Sequence, residues 1–101
     1  MKKFFHISII WRGTPKSSTT LQPIFDLADD WIFLGYACWI IYTGEHVSIW
    51  QGRIIAVLGS TDTCFISEIT DVHGTAGWLS PSAWEWLRKD RSPIPYLIPP
   101  S

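Results

Sequence analysis

The chain has 101 residues, 47% of them hydrophobic and only 17% charged, with seven tryptophans, two cysteines and a formal net charge of -1. That length supports one domain with one core. The near-neutral balance excludes bulk electrostatic attraction to nucleic acid or to a membrane surface, and two cysteines make no disulfide framework. A charged share below the usual value of about 25% leaves more apolar area than a small domain hides alone. An exposed apolar patch is therefore expected, most simply as a homodimer interface, with an unusually aromatic monomer core as the alternative.

Phe4 to Trp11 alternates. Phe5, Ile7, Ile9 and Trp11 fall on one face, and Phe4, His6, Ser8 and Ile10 on the other, which predicts a strand with one strongly apolar face. Arg12-Gly13-Thr14-Pro15 ends it, and Lys16 to Thr20 reads as polar loop. Leu21, Ile24, Phe25 and Ala28 then recur at helical spacing. The expected helix is short, with Thr19 or Thr20 as cap, Pro23 in its first turn and Asp29-Asp30 near its end, where carboxylates oppose the helix dipole.

Trp31 to Leu34 reads as a short strand, turned through Gly35-Tyr36 into Ala37-Cys38-Trp39-Ile40-Ile41-Tyr42-Thr43. This second run lies between Gly35 and Gly44 and has the composition of a central strand buried on both faces. In His46 to Leu58, the residues Val47, Trp50, Ile54, Val57 and Leu58 follow helical spacing, although Ile49 and Ile55 fall off the stripe. A helix is preferred there over a hairpin turned at Gln51-Gly52, at a cost of about 1 kcal/mol for Gly52 relative to Ala.

Gly59 to Asp62 is a turn, Thr63 to Thr70 a strand, and Asp71 to Ala76 a loop. Ser80-Pro81 opens a helix to about Lys89, with Ala83, Trp84 and Leu87 on its inner face. Ser92 to Pro100 is proline-rich and extended, with apolar residues suited to packing on its own domain or on a partner's sheet edge. The element order is β-α-β-β-α-β, then an extra C-terminal helix and an extended tail. It predicts an α+β ferredoxin-like domain over residues 1–91 and a tail over 92–101. The first strand and the Ala37–Tyr42 strand would lie in the middle, with both early helices on one face.

The run Cys38-Trp39-Ile40-Ile41-Tyr42-Thr43, a helix-length interval, Ser60-Thr61-Asp62-Thr63-Cys64-Phe65-Ile66-Ser67-Glu68-Ile69, Gly77-Trp78-Leu79 and Trp86-Leu87 together resemble the small SinR-type proteins. Those group with the small endonuclease of CRISPR adaptation, the VapD toxins and the GhoS antitoxin ribonuclease. The resemblance covers about residues 3 to 89 and implies the ferredoxin-like fold and a homodimer. Nuclease members of that group carry a metal-binding Asp at the end of the first strand. Here the strand ends Ile9-Ile10-Trp11-Arg12, and an Arg cannot ligate Mg²⁺, so the resemblance does not carry the nuclease over.

Candidate chemistry is sparse. His6 with Ser8 could form a base and nucleophile, but no orienting acid or oxyanion site accompanies them. Polar residues of a dimer interface are the plainer reading. Cys38, Cys64, His46 and His73 match no zinc spacing. Asp26, Asp29 and Asp30 could hold Mg²⁺, although a solvated helix end explains them. Glu68 stands in an apolar strand, where either an edge position or an ion pair with Arg12 or Arg53 would account for it. Trp11, Tyr36, Trp78 and Trp86 could stack bases, with Arg12, Arg88 and Lys89 on phosphates.

The leading expectation is a small non-catalytic interaction protein acting as a homodimer, without cofactor or metal, with a toxin–antitoxin or other mobile-element setting as the context that the resemblance suggests. Its contact residues would be Phe4, His6, Ser8, Ile10, Tyr96 and Ile98. A nucleic-acid surface of Arg12, Trp86, Arg88 and Lys89, or a metal-dependent nuclease, is the first alternative. A small-ligand pocket lined by Trp11, Trp78 and Trp84 is the second. No run has the length of a membrane span, and Lys2-Lys3 is followed by no leader-like segment. The expected location is cytoplasmic.

Overall fold

A computed structural model describes residues 1–71 and 80–91. The chain divides into two units, Met1–Asp71 and Val72–Ser101. The first carries β1 (Lys3–Ile10), α1 (Ser18–Phe25), β2 (Asp30–Gly35), β3 (Cys38–Thr43), α2 (Val47–Ile55) and β4 (Thr63–Ile69). The described part of the second is α3 (Pro81–Arg88) with its flanks. The molecule is α+β, and its four strands form one sheet in the order β2-β3-β1-β4 with every pairing antiparallel.

β1 and β3 are the two inner strands. Their register sets Phe5 opposite Ile41 and Ile7 opposite Trp39. Because side chains alternate, Phe5, Ile7, Ile9, Trp39 and Ile41 share one sheet face. Leu21 and Phe25 of α1 and Trp50 and Ile54 of α2 join the same buried cluster, so both helices pack on that face. Trp39, Ile40 and Ile41 are all buried, which gives β3 the two-sided burial read from its composition.

The helices of eight or nine residues are too short to persist alone, and their buried stripes and caps hold them. In α1 the Ser17 hydroxyl accepts the Thr20 amide at 3.3 Å. The cap is therefore two or three residues earlier than expected, and Pro23 sits inside the helix instead of in its first turn. A proline amide cannot donate to the preceding turn. The helix closes at Phe25, before Asp29-Asp30, through tight turns in which Leu27 and Ala28 donate to the Ile24 and Phe25 carbonyls. Asp30 instead begins β2.

Val47–Ile55 is helical, as its stripe predicted, with Trp50 and Ile54 buried and Ile49 and Ile55 exposed. His46 caps it, with Nδ1 accepting the Ser48 amide at 3.1 Å. Glu45 takes two hydrogen bonds from Arg53, at 2.6 and 2.8 Å. The Arg53 guanidinium also lies 4.8 Å from the Trp50 ring centroid. Trp50 Nε1 is buried without a hydrogen-bond partner, and the hydrogen bond from Arg53, the largest influence, holds the Glu45 carboxyl below its usual range.

The Arg53 guanidinium is thus committed to Glu45. The expected Glu68 pair with either arginine does not form. Glu68 faces Phe5 across the β1–β4 register, and Lys3, two residues away on the same face, reaches it at 3.6 Å. In α3, Ser80 caps the helix by accepting the Ala83 amide and Pro81 follows at the first position. Ala83 and Leu87 are buried, while Trp84 is partly exposed.

Candidate functional site

The helix-side face of the sheet is not filled completely. A cavity of about 250 Å³ opens between α1, the segment after β1 and the β2–β3 hairpin. Its walls are aromatic: Trp11, Phe25, Trp31, Phe33 and Trp39. Leu21 and Ala37 add apolar surface, and Lys16, Ser18 and Gln22 supply the polar groups.

Strand register assembles the walls. Phe33 pairs with Trp39 and Trp31 with Ile41 across the hairpin, which puts Trp31, Phe33 and Trp39 on one face. Phe25 from α1 stacks on Trp39, with centroids 4.6 Å apart and planes 18° apart. Phe33 meets Trp39 at 5.2 Å, and Phe25 meets Trp31 at 5.6 Å, both tilted. Offset and tilted contacts of this kind add stabilisation of about 0.5–1.5 kcal/mol beyond burial.

Two carboxylates position the wall without lining it. Asp26, just past α1, accepts the Trp31 indole N–H at 2.9 Å. Asp62 accepts three backbone amides: Arg12 at 2.7 Å, Gly13 at 3.1 Å and Gly59 at 2.7 Å. These bonds, led by that from Arg12, hold the Asp62 carboxyl below its ordinary range. They tie the segment after Trp11 to the turn before β4. A Cβ on Gly59 would meet Asp62 Oδ2 at 3.0 Å, so glycine keeps this approach open.

The hairpin beside the cavity is strained. Gly35 has φ +103°, and Tyr36 and Ala37 have φ 51° and 59°. Consecutive left-handed residues make the two-residue turn that suits twisted antiparallel strands, but Tyr and Ala are poor choices for it. The Ala37 carbonyl accepts the Ile9 amide at 2.9 Å, which holds the turn against β1.

The residues singled out from sequence are dispersed. Trp11 lines the cavity, but its partners are Trp31 and Trp39. Of the expected trio of Trp11, Trp78 and Trp84, Trp84 belongs to the second unit and Trp78 lies outside the described residues. Of the polar pair on β1, Ser8 Oγ lies 3.7 Å from Cys38 Sγ, and burial pushes the His6 pKa down. Phe4, His6, Ser8 and Ile10 do share the sheet face away from the helices, Phe4 with its ring 4.9 Å from that of Tyr42. Tyr96, Ile98 and His73 lie outside the described residues.

Arg12 belongs to the first unit and Trp86, Arg88 and Lys89 to the second. The Arg88 guanidinium covers the Trp84 ring at 4.5 Å, and Arg91 covers Trp86 at 4.4 Å while donating to the Trp86 and Leu87 carbonyls. These cations serve the end of α3. Asp29 pairs with Lys2 at 2.6 Å, and Asp30 Oδ1 accepts the Trp31 amide. Among the described residues, no three His, Cys, Asp or Glu side chains are grouped to hold a metal. Cys38 and Cys64 are both free thiols, and burial raises the Cys64 pKa. No helix among the described residues is long and apolar enough to cross a membrane.

No protein-family model, curated protein or solved structure matches this chain.

Proposed function

We propose that residues 1–71 form a ferredoxin-like β-α-β-β-α-β domain that binds a small, flat aromatic molecule without transforming it. The β2-β3-β1-β4 order and the placement of α1 and α2 on one sheet face support the fold. The single observation that carries the function is the cavity. Five aromatic side chains surround about 250 Å³ of space beside three polar ones. Ligand sites are typically apolar clefts with a few placed polar groups, and this one falls just below their usual volume of about 300–1,000 Å³. The size suits one or two fused rings.

Among the described lining residues no carboxylate, imidazole or thiol accompanies Ser18 and Lys16 to activate them, which favours binding over catalysis. The test is a titration of ¹⁵N-labelled protein with one- and two-ring aromatic fragments, following the tryptophan indole N–H resonances. Saturable shifts at Trp11, Trp31 and Trp39, with Trp50 unmoved, are expected. Shifts confined to Trp84 and Trp86, or none at millimolar ligand, would refute the proposal.

A second reading rests on a different patch. Ile10 and Phe65 are 52% and 66% exposed, and the β1–β4 register makes them diagonal neighbours on the sheet face away from the helices. This corner supports a homodimer, the assembly that the resemblance to SinR-type proteins implies. Light scattering of the parent and of Phe65→Ser tests it. A dimer that dissociates in the variant supports the reading, and a concentration-independent monomer for the parent refutes it.

A further inference from the structure

The geometry points to a planar aromatic anion as the occupant of the cavity, with its ring between the aromatic walls and its negative group toward Lys16. The inference rests on the reading of the cavity as a ligand site and specifies its ligand class.

Shape comes first. Phe25 and Trp39 are stacked within 18° of parallel, and Phe33 and Trp31 tilt against them. A flat ring can meet such walls over its faces and edges, whereas a branched aliphatic group loses contact on one side. Ser18 and Gln22 are four residues apart on α1, so they lie on one face of the helix. Both line the cavity, where a hydroxyl and an amide can bond a heteroatom on the ring edge.

Charge decides the sign. An aromatic enclosure by itself would also attract a cation to the ring faces. Among the described lining residues the one charged side chain is that of Lys16, and none is a carboxylate. Asp26 is engaged with the Trp31 indole. Asp62, whose charge does reach Lys16, is shared among three backbone amides. A bound cation would meet Lys16 with no lining carboxylate to offset it, and an anion would gain an ion pair. Lys16 is exposed, so the gain is modest, about two- to fivefold in affinity.

Three probes with one ring and three charges test this: indole-3-acetate, indole and tryptamine. Each is titrated into ¹⁵N-labelled protein, parent and Lys16→Gln, at low and high salt. The expected order in the parent is indole-3-acetate tightest and tryptamine weakest. Lys16→Gln should erase the advantage of the acetate over indole, read as the ratio of the two affinities within each protein, and salt should shrink that advantage. Tryptamine binding as tightly as indole-3-acetate, or an acetate advantage that survives Lys16→Gln, would overturn the anion assignment while leaving the cavity a ligand site. Binding of none of the three would overturn both.

Discussion

Asp26 Oδ1 accepts the Trp31 indole N–H at 2.9 Å, and this bond joins the end of α1 to the first residues of β2. It holds one wall of the cavity by its polar edge and leaves the ring free to contact a ligand. The wall on the opposite strand, Trp39, is instead fixed by stacking on Phe25. A polar anchor and an apolar one therefore set the width of the site.

Asp26→Ala should release Trp31. The expected cost is about 0.5–1.5 kcal/mol of stability, seen as a lower denaturation midpoint. The Trp31 indole resonance should also shift, and ligand affinity should fall severalfold. Asp26→Asn keeps an acceptor and should keep most of the affinity. Equal affinity in parent and Asp26→Ala would show that the bond does not position the wall.

Asp62 makes the fold acid-sensitive. Its carboxyl is held below the ordinary value by the Arg12, Gly59 and Gly13 amides, so its folded pKa is lower than its unfolded one. Such a group contributes stability that is present above the unfolded pKa, about 4, and is lost as pH falls through the folded value. The melting-temperature gap between parent and Asp62→Ala should therefore be widest near neutrality and close below about pH 4. A gap constant from pH 7 to pH 2.5 would contradict this.

The Tyr36-Ala37 turn is open to improvement. Both residues hold positive φ, and Asn-Gly is the pair this turn prefers. The double change Tyr36→Asn with Ala37→Gly should raise stability by about 1–2 kcal/mol, measured by chemical denaturation. Tyr36 is fully exposed and loses no packing, whereas the Ala37 methyl packs against the core and its loss subtracts from the gain. A neutral or destabilising result would mean that the strain is relieved in another way.

Gly52 offers a smaller effect inside α2. It is exposed, and a Cβ there would meet no atom within 4 Å. Gly52→Ala should stabilise by about 0.5–1 kcal/mol, with the ligand affinity of the parent.

The parts of the fold legible in the sequence are those where local chemistry and tertiary context agree. Cys38–Thr43 reads as an inner strand because its side chains suit burial on both faces. The Val47–Leu58 stripe reads as a helix because Trp50 and Ile54 carry it, and the exposed Ile49 and Ile55 only blur it. The start of α1 lies earlier than the Thr19 or Thr20 cap expected from sequence for a chemical reason: Ser17 caps equally well, and residue order does not say which hydroxyl faces the free amides.

The pocket was less legible still. Trp11 is visible as a candidate, but its partners arrive through the β2–β3 register and through Phe25, and neither is encoded in spacing along the chain. The same holds for Glu68, whose partner Lys3 follows from strand pairing. Asp26 and Asp62 look like surface acids until the fold brings an indole N–H to one and three amides to the other.

The most direct measurement is a set of intermolecular nuclear Overhauser effects between bound indole-3-acetate and the protein. Contacts from its ring protons to Trp11, Trp31, Phe33 and Trp39, with its methylene nearest Lys16, are the expected result. Contacts only to residues outside the cavity, such as Phe65 or Trp84, would contradict the account.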